Sequence, residues 1–283
     1  MADIKTVLCP IDFSDLSRSE LALAIEVCAA FDARLIMHHN LAAVPPGLTR
    51  QWEWDQYHQA GYINADETEA RLRALLTEVP AGVSAEATVS RGPVGLVLLD
   101  MTASLPADLV VLGYHGLKDL DHASVTERML DQSGVPLLTI HEGAAIDGFN
   151  LRGGEVPVLV PVDLADSAAA VTDYAVGLAR KLPLHLHFLH VAPSVASAST
   201  IQAAEHTLRT LVPSDLAGRA TCHIARGNAV GHILEAAERL QAGFMVLGEH
   251  TRGLLLSLFV RDNARTLLEK AVCPVWFVPP RRR

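Results

Sequence analysis

Short apolar runs punctuate the chain. Val7-Leu8-Cys9-Pro10-Ile11, Leu35-Ile36-Met37, Val110-Val111-Leu112 and Val135-Pro136-Leu137 stand in the first half, and Val158-Leu159-Val160-Pro161-Val162, Leu186-His187-Phe188-Leu189, Met245-Val246-Leu247 and Cys273-Pro274-Val275 in the second. They are rich in Val, Ile and Leu and lack a clear two-residue alternation, the pattern of strands buried on both faces of a parallel sheet. Helical patterns lie between them. Ser17 and Glu20 have capping-box spacing, with Leu21, Ala24, Ile25 and Cys28 behind them on one face. Asp166 can cap an equivalent helix that buries Val171, Tyr174, Ala175 and Leu178. Further helices are predicted over 67–76, 93–104 and 127–132, and over 203–211, 229–241 and 264–270. Each half reads βαβαβαβαβ, an open doubly wound α/β sheet.

The two halves are copies. Pro10-Ile11-Asp12 returns as Pro161-Val162-Asp163 and His39 as His190, both 151 residues later. Arg91-Gly92 returns as Arg226-Gly227 and Leu112-Gly113 as Leu247-Gly248, both 135 later, and Pro136 as Pro274, 138 later. Five anchors in one order mark a tandem duplication. The first half carries 16 extra residues between His39 and Arg91, among them Trp52, Trp54 and Tyr57. A Gly-containing linker separates domains placed at 1–143 and 155–283.

Composition narrows the function. Half of the 283 residues are apolar and 19% are charged, enough hydrophobe for a core in each half. No run approaches the ~18 apolar residues of a membrane span. The net charge of −9 gives no electrostatic footprint for nucleic acid. The N-terminal residues lack a secretory pattern, and four scattered cysteines without a CxxC pair read as reduced, buried thiols, so a cytoplasmic location is expected. No GxSxG elbow, P-loop or HExxH motif is present, and no catalytic residue is assigned.

In a doubly wound sheet the site lies beyond the carboxyl ends of the strands. Those ends carry Asp12 and Ser14, His39 and Asn40, Arg91 and Gly92, and the loop after Gly113. At these residues the sequence resembles the universal stress protein family in its tandem form. The likeness rests on Pro10-Ile11-Asp12-Phe13-Ser14, His39, Gly92, the Val-Leu-Gly-x-x-Gly run ending at Gly116, and the late Pro-containing strands, and it covers nearly the whole chain twice. It implies a five-stranded parallel sheet per domain in the order 3-2-1-4-5, an adenine-nucleotide α-hydrolase-like fold, with the domains paired through their last strands as a pseudo-dimer within the chain. A further homodimer and a protein partner are its other implications.

The resemblance also implies ATP, held with Mg²⁺ by Gly-x2-Gly-x9-Gly-(Ser/Thr). Glycines let backbone amides approach phosphates, and the hydroxyl adds a donor. The first half has Gly113 and Gly116, then six residues before Ala123-Ser124, a loop three residues short and lacking its third glycine. Asp12, Ser14, His39, Gly92, Gly113, Gly116 and Ser124 are the candidate nucleotide or anion ligands. The second half keeps Gly248 but has Thr251 and Arg261-Asp262 at the other motif positions and Ala165 in place of Ser14, so its motif is lost. The expected function is a non-catalytic stress-response binding or signalling module. The alternatives are an interaction scaffold using 52–57 and the apolar run 254–259, or a weak ATPase or zinc protein using His115, Asp119, Asp121 and His122. His185 and His187, on one strand face, form a plausible metal pair, although no full ligand set has a fixed spacing.

Overall fold

Ten strands join into one sheet in the computed structural model, which describes residues 3–41, 65–114, 120–164, 168–248 and 261–280, with only the backbone of 120–124, 168 and 261–264. The first half runs β1 (Thr6–Pro10), α1 (Asp15–Phe31), β2 (Arg34–Leu41), α2 (Ala65–Ala74), β3 (Ala85–Arg91), α3 (Val94–Ser104), β4 (Leu109–Tyr114), α4 (Leu120–Gln132) and β5 (Leu137–His141). The second repeats it: β6 (Val156–Pro161), α5 (Ala168–Lys181), β7 (Leu184–Ala192), α6 (Ala198–Thr210), β8 (Ala220–Arg226), α7 (Ala229–Arg239), β9 (Phe244–Gly248), α8 (Arg261–Lys270) and β10 (Val275–Val278).

The strand order is β3-β2-β1-β4-β5-β10-β9-β6-β7-β8. Each half is therefore a parallel 3-2-1-4-5 sheet. The halves meet where β5 pairs antiparallel with β10, with Trp276 opposite Leu138. This is the expected intramolecular pairing through the last strands. The apolar runs behave as predicted: every residue of β4 and β9 is buried, because helices cover both faces. One core unites α1, α2, α5 and α6 with one face of the sheet. The other unites α3, α4, α7 and α8 with the opposite face, and both cores cross from half to half. The edge strands β3 and β8 are only half-buried and carry Thr88, Ser90 and His223.

Two local expectations change. The N-cap of α1 is Ser14, whose Oγ accepts from the Ser17 amide at 3.2 Å, and not Ser17. Glu20 is buried in the first half's core side, so it does not close a capping box. The linker is also more than loop: Phe149 and Leu151 are buried, with Phe149 edge-on to Phe244 at 5.4 Å. Cys9, Cys28 and Cys273 are buried free thiols, and burial pushes Cys28 and Cys273 up to about 12. Cys222 is half-buried. Residues 52–57, 254–259, His115, Gly116, Asp119, Ala165, Asp166 and Thr251 lie outside the described residues, as do the side chains of Asp121, His122, Ser124, Arg261 and Asp262.

Candidate functional site

The strand order of the first half reverses between β1 and β4, and in a doubly wound sheet the carboxyl ends at such a switch point are where a ligand crevice is expected. The chain leaves β1 through Asp12 and Phe13. Phe13 sits at φ 66°, in the left-handed region that a bulky residue rarely adopts. Its repeat, Leu164, does the same at φ 58°. The turn is held by side chains: Asp12 Oδ1 accepts from the Ser14 amide at 2.8 Å, and the Ser17 hydroxyl donates to the Ser14 carbonyl at 2.8 Å. Ser14 thus starts α1 at the crevice, with its hydroxyl already engaged as the cap.

His39 ends β2 beside this turn. Its Nδ1 lies 2.6 Å from the Ile11 carbonyl, which can only accept, so Nδ1 carries the proton and Nε2 is left as an acceptor. The ring lies 4.8 Å from that of Phe13, and the Arg71 guanidinium of α2 stands 4.1 Å over Phe13. A cation is thereby brought to the rim of an acidic chain. On the far side of β2, Asn40 Nδ2 donates to the Gly92 carbonyl at 2.7 Å. Gly92 has φ +140°, and a Cβ there would lie 3.2 Å from Val97, so glycine is required for the turn into α3.

Gly113 closes the β4 side for a different reason. A Cβ on it would collide with Glu20 Oε1 and lie 2.7 Å from Leu16, so the residue is fixed by packing on α1. Thr126 of α4 donates to its carbonyl at 2.8 Å from a buried position. A bulky substitution at Gly113 therefore disturbs folding as well as any ligand.

Of the expected site residues, Asp12, Ser14, His39, Gly92 and Gly113 fall on the carboxyl ends of four adjacent strands. Gly116 and the Ser124 side chain lie outside the described residues. The sequence places Asn40 at the end of strand 2 without a role, and gives no site role to Phe13, Glu20, Arg71 or Thr126. Glu20 had a signal: Leu16, Glu20, Leu23, Ala24 and Val27 share the buried face of α1, so a charge stood in an apolar stripe.

The second half repeats the frame with other side chains. His190 Nδ1 donates to Val162 O at 2.8 Å, as His39 does to Ile11 O, and Gly227 has φ +114°. Val171 stands where the first half has Glu20, and a Cβ on Gly248 would meet it at an ordinary 3.4 Å. The strand pair β7–β8 instead gathers imidazoles. His185 stacks on His187 at 4.7 Å, and His187 Nδ1 lies 3.2 Å from His223 Nε2. Burial, with the neighbouring histidines and Arg239, brings His187 down to about 4. Burial and Arg239 also lower His223, which favours two neutral rings sharing one N–H···N bond. Among the described residues no three His, Cys, Asp or Glu side chains are placed to hold a metal ion.

A duplicated, doubly wound sheet with polar side chains at its switch point defines a tandem α/β protein. A model of the universal stress protein family matches the chain twice, over residues 3–141 and 157–279. The chain belongs to the universal stress protein family, in tandem form. It is 25% identical to a universal stress protein of Mycolicibacterium smegmatis over 97% of this chain and 97% of that protein. A Synechocystis universal stress protein is 26% identical over 48% of this chain and 85% of its own length. The crystal structure of an Archaeoglobus fulgidus universal stress protein superposes with a TM-score of 0.66 at 19% identity, over 97% of this chain and 96% of that one. No helix of the described residues is long and apolar enough to cross a membrane.

Proposed function

We propose that the chain is a non-catalytic, cytoplasmic binding module that takes an adenine nucleotide or similar phosphate anion, with Mg²⁺, at the first-half crevice alone. The observation that carries this reading is the side-chain difference on a shared frame. In the first half the crevice rim gathers Asp12, His39 and the Arg71 cation, with Glu20 buried behind Gly113. The second half keeps Asp163, His190 and Gly248, but Val171 replaces Glu20, Ala165 replaces Ser14, and Thr251 and Arg261-Asp262 stand at the later motif positions. Arg71 offers a guanidinium to phosphate, and the His39 Nε2 lone pair accepts from a base or sugar donor. The sequence from Gly113 to Ser124 is three residues shorter than the family pattern and lacks its third glycine, so modest affinity is expected.

Calorimetric titration with Mg²⁺–ATP tests this. One site per chain is expected, with Arg71→Ala and Asp12→Asn each weakening it about tenfold. Asp163→Asn, the same change in the second half, should leave it unchanged. Silence at millimolar ligand overturns the reading in favour of an interaction scaffold.

A further inference from the structure

Under the β3 side of the first crevice runs a chain of hydrogen bonds in which every proton can be placed. The Gly92 carbonyl only accepts, so the Asn40 amide nitrogen faces it at 2.7 Å. Asn40 Oδ1 then faces Ser90 and takes that hydroxyl's single proton at 3.0 Å. Ser90 Oγ, having given its proton, accepts from His38 Nε2 at 3.0 Å. A neutral His38 then presents Nδ1 as an acceptor, and Thr88 supplies it at 2.9 Å in preference to the Met37 carbonyl at 3.4 Å. Protons thus point one way, from Thr88 through His38, Ser90 and Asn40 to Gly92. His38 is 2% exposed, and burial together with neighbouring His39 brings it down to about 4, which keeps it neutral.

The second half builds the same turn without this relay. The duplication offsets put Leu189 at the place of His38, Val191 at that of Asn40 and Ala225 at that of Ser90. Gly227 still adopts its left-handed φ, and its helix is capped by Asn228, which accepts from the Gly231 amide at 2.8 Å. The frame therefore does not require a buried histidine network. Apolar side chains serve there, and a buried polar chain is harder to satisfy than they are.

We propose that His38 is a positioning residue for the ligand of the first crevice: through Ser90 and Asn40 it fixes the Gly92–Pro93 turn against which the ligand seats. This rests on the reading that the first half binds a nucleotide or phosphate anion. His38 itself touches no ligand, being buried one strand-residue below the rim.

The test is Mg²⁺–ATP calorimetry on the full chain, with thermal unfolding of each variant. Ser90→Ala and His38→Leu, the latter importing the second half's residue, should each lower affinity five- to twentyfold. His38→Gln keeps a donor for Ser90 and an acceptor for Thr88, and should return affinity to within about threefold of wild type. That rescue separates relay polarity from simple packing. Asn40→Ala cuts only the last, half-buried link, so it gives the answer even if the core variants fold poorly, and it should match Ser90→Ala. Unchanged affinity in Asn40→Ala and Ser90→Ala, with wild type binding, overturns the positioning role and leaves the nucleotide reading intact. No binding by wild type overturns both.

Discussion

Both halves keep an Asp and a hydrogen-bonded His at the carboxyl edge, but behind that edge the first half has polar side chains where the second has apolar ones on nearly the same backbone. Phe13 and Leu164 share the left-handed turn, Gly92 and Gly227 share positive φ, and His39 and His190 make the same bond to the strand-1 carbonyl. Glu20, His38, Asn40 and Ser90 have become Val171, Leu189, Val191 and Ala225. A doubly wound sheet needs apolar strands and left-handed turns, and both halves keep them. What differs between the halves is thus separated from what the fold demands, and the differing set is where a ligand's requirements are to be sought.

The largest expected effect lies where the halves meet. Trp276 is fully buried, faces Leu138 across the antiparallel pair, and packs near Phe244 and Tyr174 at ring distances of 5.7 and 6.0 Å. Residues 276 and 138 are equivalent positions in the duplication, so each half offers its own copy to the other. Trp276→Ala should cost about 3–5 kcal/mol and Leu138→Ala about 2–5 kcal/mol. Because both cores cross the junction, urea unfolding followed by circular dichroism should remain one transition in wild type. Two separated transitions in wild type would show the halves to be independent units and would break the comparison at its root.

Acid should come next. Folding lowers His38 to about 4 from an ordinary value near 6.5. A histidine lowered in the folded state lets the unfolded chain bind the proton first, so its contribution is present above pH 6.5 and is lost as pH falls toward 4. For buried His38 that is about 3 kcal/mol in all, with about 2 kcal/mol gone by pH 5. His187 acts in the same direction, with less weight because it is only half-buried and better screened. Urea midpoints at pH 7 and pH 5 should converge for His38→Leu relative to wild type. An unchanged pH dependence in that variant would place the acid sensitivity elsewhere.

Much of the frame was legible because it is written in local runs. Apolar strands, helix stripes and the repeat offsets need only neighbours in sequence, and the resemblance supplied the strand order. The relay was not legible. His38 meets Thr88 and Ser90 only through the β2–β3 register, which pairs His38 with Thr88 and Asn40 with Ser90 across about fifty residues. Nor was Arg71, which reaches Phe13 from a helix whose sequence shows no sign of its target. His223 was overlooked beside His185 and His187 for the same reason, since its contact with His187 crosses two strands. Charge in an apolar stripe, as at Glu20, was the one long-range feature with a local signature.

The smallest effects bear on why both halves keep a glycine at the end of strand 4. If the first glycine answers to Glu20 and Leu16, and the second to nothing comparable, equal substitutions should part company. Gly113→Ala should cost about 1–3 kcal/mol by overpacking. Gly248→Ala should stay within about 0.5 kcal/mol, because its new methyl meets Val171 at normal contact distance and the unfolded chain loses freedom. Glu20→Val installs the second half's partner, and in that background Gly113→Ala should cost at least about 1 kcal/mol less than it does alone. Some cost should persist, since Leu16 remains 2.7 Å from the added methyl. Denaturant midpoints for the four corners of this cycle measure the coupling. Additive costs would mean that Glu20 and Gly113 do not act as a pair, and that the packing of Leu16 alone carries the cost at the first glycine.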